Sequence, residues 1–191
     1  IIDWSNPLRM LVSPQFSIHR SIDGGNNFSP IQSGFHWETF FEQNKIFPDV
    51  LYGTNEFGVK SSVNFGTTWS NIAEYPNVND NKTWRVYVSP TDGNYLYSSW
   101  YGNSSGSPQK VFKSTTGGGT NPGDWVDVGS PSENHWIKSI SVDYFDPNHI
   151  WVATNPHVYD VNTLTQEWTD ISNGLPSYIS IKHLEQLNGT E

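Results

Sequence analysis

Four aromatic residues, Phe28, Trp69, Trp125 and Trp168, each close a polar Gly/Asn/Thr turn and open a short strand-like run. They are 41, 56 and 43 residues apart. Self-similarity at such a period constrains the chain to a repeat architecture, because each unit can bury its apolar face only against a neighbour. The long interval has a local explanation. YGNSSGSPQK (101–110) and the stretched turn TTGGGTNPGD (115–124) both read as loop insertions.

Each unit carries an alternating strand just before the turn, in SIHRS (17–21), GVKSS (58–62), KVFKS (110–114) and PHVYD (156–160), and two further strand-like runs upstream of it. LRMLVSP (8–14), VLYGTN (50–55), NYLYSSW (94–100) and HIWVATN (149–155) are β-branched or aromatic and bounded by Pro, Gly, Asn or Asp. IIDWS (1–5), WETFFEQ (37–43), WRVYVSP (84–90) and KSISVDYF (138–145) precede them. Only HWETFFEQNKIF (36–47) could hold a turn or two of helix, so its reading as a strand rests on its place in the repeat. Four strands per unit is the plan of a β-propeller blade. The expected fold is all-β: about four antiparallel, four-stranded blades near 1–35, 36–76, 77–131 and 132–174. YISIKHLEQL (178–187), within 175–191, is expected to be the first strand of a further blade. An unclosed arc needs neighbours to cover its faces, so the preferred reading is part of a larger propeller. A closed four-blade ring is the alternative, with 178–187 replacing or supporting 1–5.

The first turn holds Ser21, Asp23, Gly25 and Phe28 in the pattern S-x-D-x-G-x-x-[W/F], and Ser62, Asn64, Gly66 and Trp69 repeat the spacing. The third copy keeps Ser114 and Trp125 around Gly117, Gly118 and Gly119. The fourth keeps Trp168, with Asp160 in the Ser place and Asn162 in the Asp place. This pattern resembles the Asp-box, or BNR repeat, of sialidases, xyloglucanase-like glycoside hydrolases, sortilin-type receptors and photosystem assembly factors. The resemblance spans residues 1–172 and implies that the boxes lie on the outer rim, between strands three and four. Asp23 is then a turn staple, its oxygens accepting backbone N–H bonds. The glycines permit a positive φ, and the aromatics are expected to wedge between adjacent sheets.

Composition narrows the chemistry. There is no cysteine, which excludes disulfides, Cys-ligated zinc, iron–sulfur clusters and a thiol nucleophile within this segment. A formal charge of -9 argues against a nucleic-acid partner, and no run suits a membrane span. The six His show no metal-binding spacing, so no metal and no cofactor are expected. SIDGGN lacks the spacing of a phosphate-binding loop and no helix follows it. The only arginines are Arg9, Arg20 and Arg85, too dispersed for the arginine cluster that the sialidase resemblance would imply.

Strand-one positions carry Asp3, Glu42, Ser89 and Asp143. A glycosidase needs two carboxylates about 5–9.5 Å apart, one protonated and one ionised. Asp3 and Asp143 occupy equivalent places and are the weak catalytic candidates, although Asp-x-x-Asp-Pro-Asn (143–148) also reads as a strand end and turn. Trp37, Trp84, Trp100, Tyr101 and Trp136 sit beside loops or insertions. Flat rings among Asn and Ser suit sugar stacking, and Trp100, Tyr101, Trp84 and Trp136 are the ligand-binding candidates, with core packing as the competing role. The leading expectation is a non-catalytic binding or scaffold propeller, secreted or at the cell surface, with polysaccharide or protein as partner. Further blades or domains of the same protein are expected partners too. The alternative is part of a xyloglucanase-like hydrolase acting on polysaccharide, so enzymatic activity is left open.

Overall fold

Among the described residues fifteen strands form the regular structure and no helix occurs. The computed structural model describes residues 1–14, 17–33, 40–55, 58–76, 83–100, 109–131, 136–177 and 179–186. Sheet one contains β1 (Met10–Val12), β2 (Ser17–Ser21) and β3 (Ser29–Ser33). Sheet two contains β4 (Phe41–Gln43), β5 (Leu51–Asn55), β6 (Gly58–Ser62) and β7 (Ser70–Asn71). Sheet three contains β8 (Thr83–Val88), β9 (Leu96–Trp100), β10 (Lys110–Ser114) and β11 (Val126–Gly129). Sheet four contains β12 (Ser139–Val142), β13 (His149–Ala153), β14 (Val158–Asn162) and β15 (Glu167–Asp170). Within every sheet the strands pair antiparallel in chain order.

Two ends depart from the strand expectations. In place of a strand over 1–5, a single bridge joins Ile2 to Met10, and Leu11 N donates to the Ile1 carbonyl at 3.0 Å. The turn that brings Arg9 N to the Asn6 carbonyl follows too closely for a longer ladder. Residues 179–186 form no strand. Their backbone is tied to sheet four by side chains instead: Ile181 N donates to Asn155 Oδ1 at 3.0 Å, and Leu184 N to Ser139 Oγ at 3.1 Å.

Alternation within each strand sends successive side chains to opposite faces, and three apolar clusters result. Leu11 and Ile18 of sheet one meet Leu51 and Phe65 of sheet two. Tyr52 and Val59 of sheet two meet Leu96 and Phe112 of sheet three. Tyr97 and Val111 of sheet three meet Ile150, Val152 and Val161 of sheet four. Every residue of β9 is buried, because that strand has a sheet on both sides. Among the described residues no such cluster joins sheet four to sheet one. The architecture is a partial β-propeller, with three four-stranded blades and a first sheet of three strands among the described residues.

The turns between strands three and four share one device. Ser21 Oγ accepts from Gly25 N at 2.9 Å and donates to Asp23 Oδ1 at 2.7 Å, while Asp23 Oδ1 also accepts from Asn27 N at 3.0 Å. Bonds from the Asn27 side chain and backbone and from Ser21 hold the Asp23 carboxyl down at about 2. Ser62 and Asn64 repeat the pattern with Gly66 N at 2.8 Å and Thr68 N at 2.9 Å. Ser114 Oγ accepts from Gly118 N at 3.0 Å, although Thr116 stands in the acidic place. The third glycine was therefore hidden in a run of three. At φ +78°, Gly66 is also pressed close to Leu11 of the preceding sheet, where a Cβ would lie 2.7 Å from a methyl group. The fourth turn differs: Asn162 Oδ1 accepts from Leu164 N and Thr165 N, but Asp160 turns away to a histidine.

Three of the four aromatics that follow these turns pack against the preceding sheet. Trp125 Nε1 donates to the Ile72 carbonyl of sheet two at 2.7 Å, and Trp168 Nε1 to the Val128 carbonyl of sheet three at 3.1 Å. Trp69 lies against the cluster between sheets one and two. Phe28 departs from the expected wedge. It is 40% exposed.

Candidate functional site

The first strands of sheets two and four, β4 and β12, both contact β8, so three strand-one edges line a common wall. A cavity of about 350 Å³ opens there, with Glu42 and Lys45 from sheet two, Arg85 from sheet three, Tyr144 from sheet four, and His183 and Glu185 from the C-terminal segment. A neighbouring cavity of about 450 Å³ shares Phe40, Phe41, Glu42 and Lys45 and adds Trp4. Together they make a concave face at the channel side of the blades, the kind of place where ligands bind.

Burial raises the Glu42 carboxyl above its ordinary value, against the pull of Lys45 at 3.6 Å and of the His183 charge. Glu185 lines the same cavity and pairs with His183 at 3.5 Å. The Arg85 guanidinium carbon lies over the Phe40 ring, 4.2 Å from its centroid. Among the described residues, no group of three or more His, Asp or Glu is arranged to hold a metal ion.

The two acids singled out from the sequence are held differently. Asp3 is buried and accepts from Arg9 Nε at 2.6 Å, Gln43 Nε2 at 2.7 Å, and both the backbone and hydroxyl of Ser5 at 2.9 Å. Burial alone would raise it, but these donors outweigh that and the carboxyl stays low. Since Gln43 belongs to β4, Asp3 ties sheet one to sheet two. Asp143 accepts from Phe145 N at 2.8 Å and meets His149 Nδ1 at 2.7 Å, and these bonds likewise lower it against the opposing effect of burial. Neither is shaped as a proton donor near neutral pH.

His149 has both ring nitrogens engaged, Nδ1 with Asp143 and Nε2 with Asp160 at 3.0 Å. Burial would lower it, but the two carboxylates raise it overall. A raised histidine stabilises fully below its ordinary value of about 6.5 and loses that contribution as pH rises through its folded value. The lowered Asp143 contributes above about 3.8 and fades as pH falls through its own folded value. Melting temperature is therefore expected to fall as pH rises from about 6.5 through the folded value, and His149→Gln should flatten that fall. An unchanged slope in the variant would remove His149 as its source.

Trp100, expected as a ligand contact, is 9% exposed and packed in the cluster between sheets two and three. Its ring is committed to the core, because β9 lies between two sheets. Trp136 is 54% exposed, with Lys138 Nζ 5.5 Å from its ring centroid. Tyr101, Trp37, the Trp84 side chain and residues 102–108 of the insertion lie outside the described residues. Sequence reasoning gave no weight to Trp4, which is 53% exposed with its Nε1 donating to the Asn44 carbonyl at 3.0 Å. It also passed over the edge-on pair Tyr144–Phe145. The signal for Trp4 was its place beside Asp3 in a strand-one run. Nothing local marked Arg85.

No family model matches the chain, and no curated protein sequence does. Solved structures do. An ancestral GH74 enzyme superposes with a TM-score of 0.67 at 17% identity, over 92% of this chain and 25% of its own. The GH74 enzyme of Niastella koreensis follows at 0.65 and 19%, covering 88% of this chain and 28% of that one. An auxiliary nutrient binding protein from Bacteroides thetaiotaomicron gives 0.58 and 14%, covering 88% and 39%. The chain thus spans about a quarter of the two GH74 enzymes. At these identities the likeness establishes the propeller fold. No helix among the described residues is long and apolar enough to cross a membrane.

Proposed function

We propose that this segment belongs to a secreted or surface-exposed, non-catalytic propeller that binds a glycan on its channel face, with the rim turns acting as Asp-box staples. The observation that carries this reading is the exposed Trp4 ring beside two joined cavities. An aromatic face meets the C–H face of a sugar, while Glu42, Lys45 and the neighbouring polar groups can meet its hydroxyls. The nutrient binding protein of the same fold agrees with a binding role. Asp3 and Asp143, both held ionised, do not form a protonated–ionised pair.

A second reading, part of a xyloglucanase-like hydrolase, is favoured by one observation: the raised Glu42 carboxyl shares a cavity with Glu185. A glycan array, followed by affinity electrophoresis and a reducing-sugar assay on xyloglucan, separates the two. The binding reading expects retention without new reducing ends, weakened about three- to tenfold in Trp4→Ala. Reducing ends that disappear in Glu42→Gln would replace it with the hydrolase reading. No retention and no hydrolysis on any glycan would overturn both.

A further inference from the structure

Arg85 is the one cation lining the cavity of about 350 Å³ that has no acidic partner among the described residues. Lys45 is paired with Glu42 at 3.6 Å, and His183 with Glu185 at 3.5 Å. The Arg85 guanidinium instead rests on the Phe40 ring, and its Nε–H is buried without an acceptor. The Tyr87 hydroxyl on the same strand is buried among Arg85, Ser139 and the Ile140 backbone. Buried polar groups are normally satisfied, and an exception calls for a specific cause. A guanidinium resting on an aromatic ring still offers planar paired N–H donors that suit a carboxylate, which an ammonium cannot match in shape.

We infer that the channel cavity is a site for a carboxylate-bearing sugar, a uronic acid residue of a polysaccharide, with Arg85 as the anchor and Phe40 as the shelf that fixes its plane. The inference rests on the glycan-binding reading and adds the charge class of the ligand. Around Arg85 the two acids are already matched by Lys45 and His183, so an incoming carboxylate meets an uncompensated positive group. The formal charge of -9 opposes diffuse attraction of anions, so preference for an acidic glycan has to come from a local contact.

Calorimetry or affinity electrophoresis with three probes tests this: oligogalacturonate, its methyl ester, and a neutral galacto-oligosaccharide. The wild-type chain is expected to bind the free acid about tenfold or more tightly than the ester, as one charge-assisted contact requires. Arg85→Gln should abolish the preference and Arg85→Lys should keep part of it. Lys110→Gln, which alters a cation paired with Asp127 away from the cavity, should leave it intact. Equal binding of acid and ester by the wild type overturns the inference without any variant having to fold. Equal loss in Arg85→Gln and Lys110→Gln also overturns it, because the preference would then follow overall charge. If the neutral sugar and the ester bind as well as the acid, the glycan reading stands and the uronate site falls. If no probe binds and the glycan array is also blank, both fall.

Discussion

Replacing Trp125 with alanine is expected to lower unfolding free energy by about 3–5 kcal/mol, the range for removing a fully buried large aromatic. Trp125 is 1% exposed and meets Tyr75 edge-on at 5.2 Å. Its indole N–H is bonded to the Ile72 carbonyl of the preceding sheet, so the substitution opens a void and removes one of the two bonds that this carbonyl accepts, the other coming from Gly119 N. Urea denaturation of the chain measures the effect. Phe28→Ala makes the contrast: the same repeat position, 40% exposed, should cost under about 1 kcal/mol in this chain. Equal losses at the two positions would mean that the inter-sheet contact is not what gives the aromatic its weight.

Arg9→Met is expected to have the second large effect, about 3 kcal/mol, for an electrostatic reason. The Asp3 side chain is 0% exposed and Arg9 is its cationic partner, so the variant leaves a buried carboxylate with only Gln43 and Ser5 as donors. Methionine keeps an apolar cover near the Phe65 ring on which Arg9 rests at 4.4 Å, which isolates the charge from the packing. The second Arg9 contact, to Asp49, is surface-exposed and adds little. The lowered Asp3 carboxyl contributes stability above about 3.8 and loses it as pH falls through the folded value. The gap between wild type and variant should therefore narrow in acid. A pH-independent gap would place the cost in packing instead.

Much of the fold was legible because a propeller blade is a local unit. Strand alternation, a turn of fixed chemistry and an aromatic at a set distance can each be read within a few dozen residues. Trp69, Trp125 and Trp168 were found this way, and each lies at the face of a preceding sheet. Phe28 was misjudged because the same local signal says nothing about whether a neighbour is present to pack against. Asp160 was matched to the serine place by spacing, yet its side chain pairs with His149 across the sheet. Residues 179–186 had the β-branched look of a strand but bond to side chains of sheet four.

The candidate site was far less legible. Trp100 owed its place among the ligand candidates to an adjoining insertion, whereas burial on both faces of β9 gave its ring to the core. Asp3 and Asp143 were chosen as unpaired acids at matching repeat positions, and their partners, Arg9, Gln43 and His149, could not be assigned from spacing alone.

From the amino-acid order alone came the all-β class, the repeat, and the serine–glycine chemistry of the turns, since all depend on neighbours a few bonds away. Only the tertiary structure decided which groups face one another across the channel. Glu42, Arg85, Tyr144 and His183 belong to different repeats and to the C-terminal segment, and stacked sheets bring them to one cavity. That encounter depends on how blades pack side by side, and no local pattern encodes it.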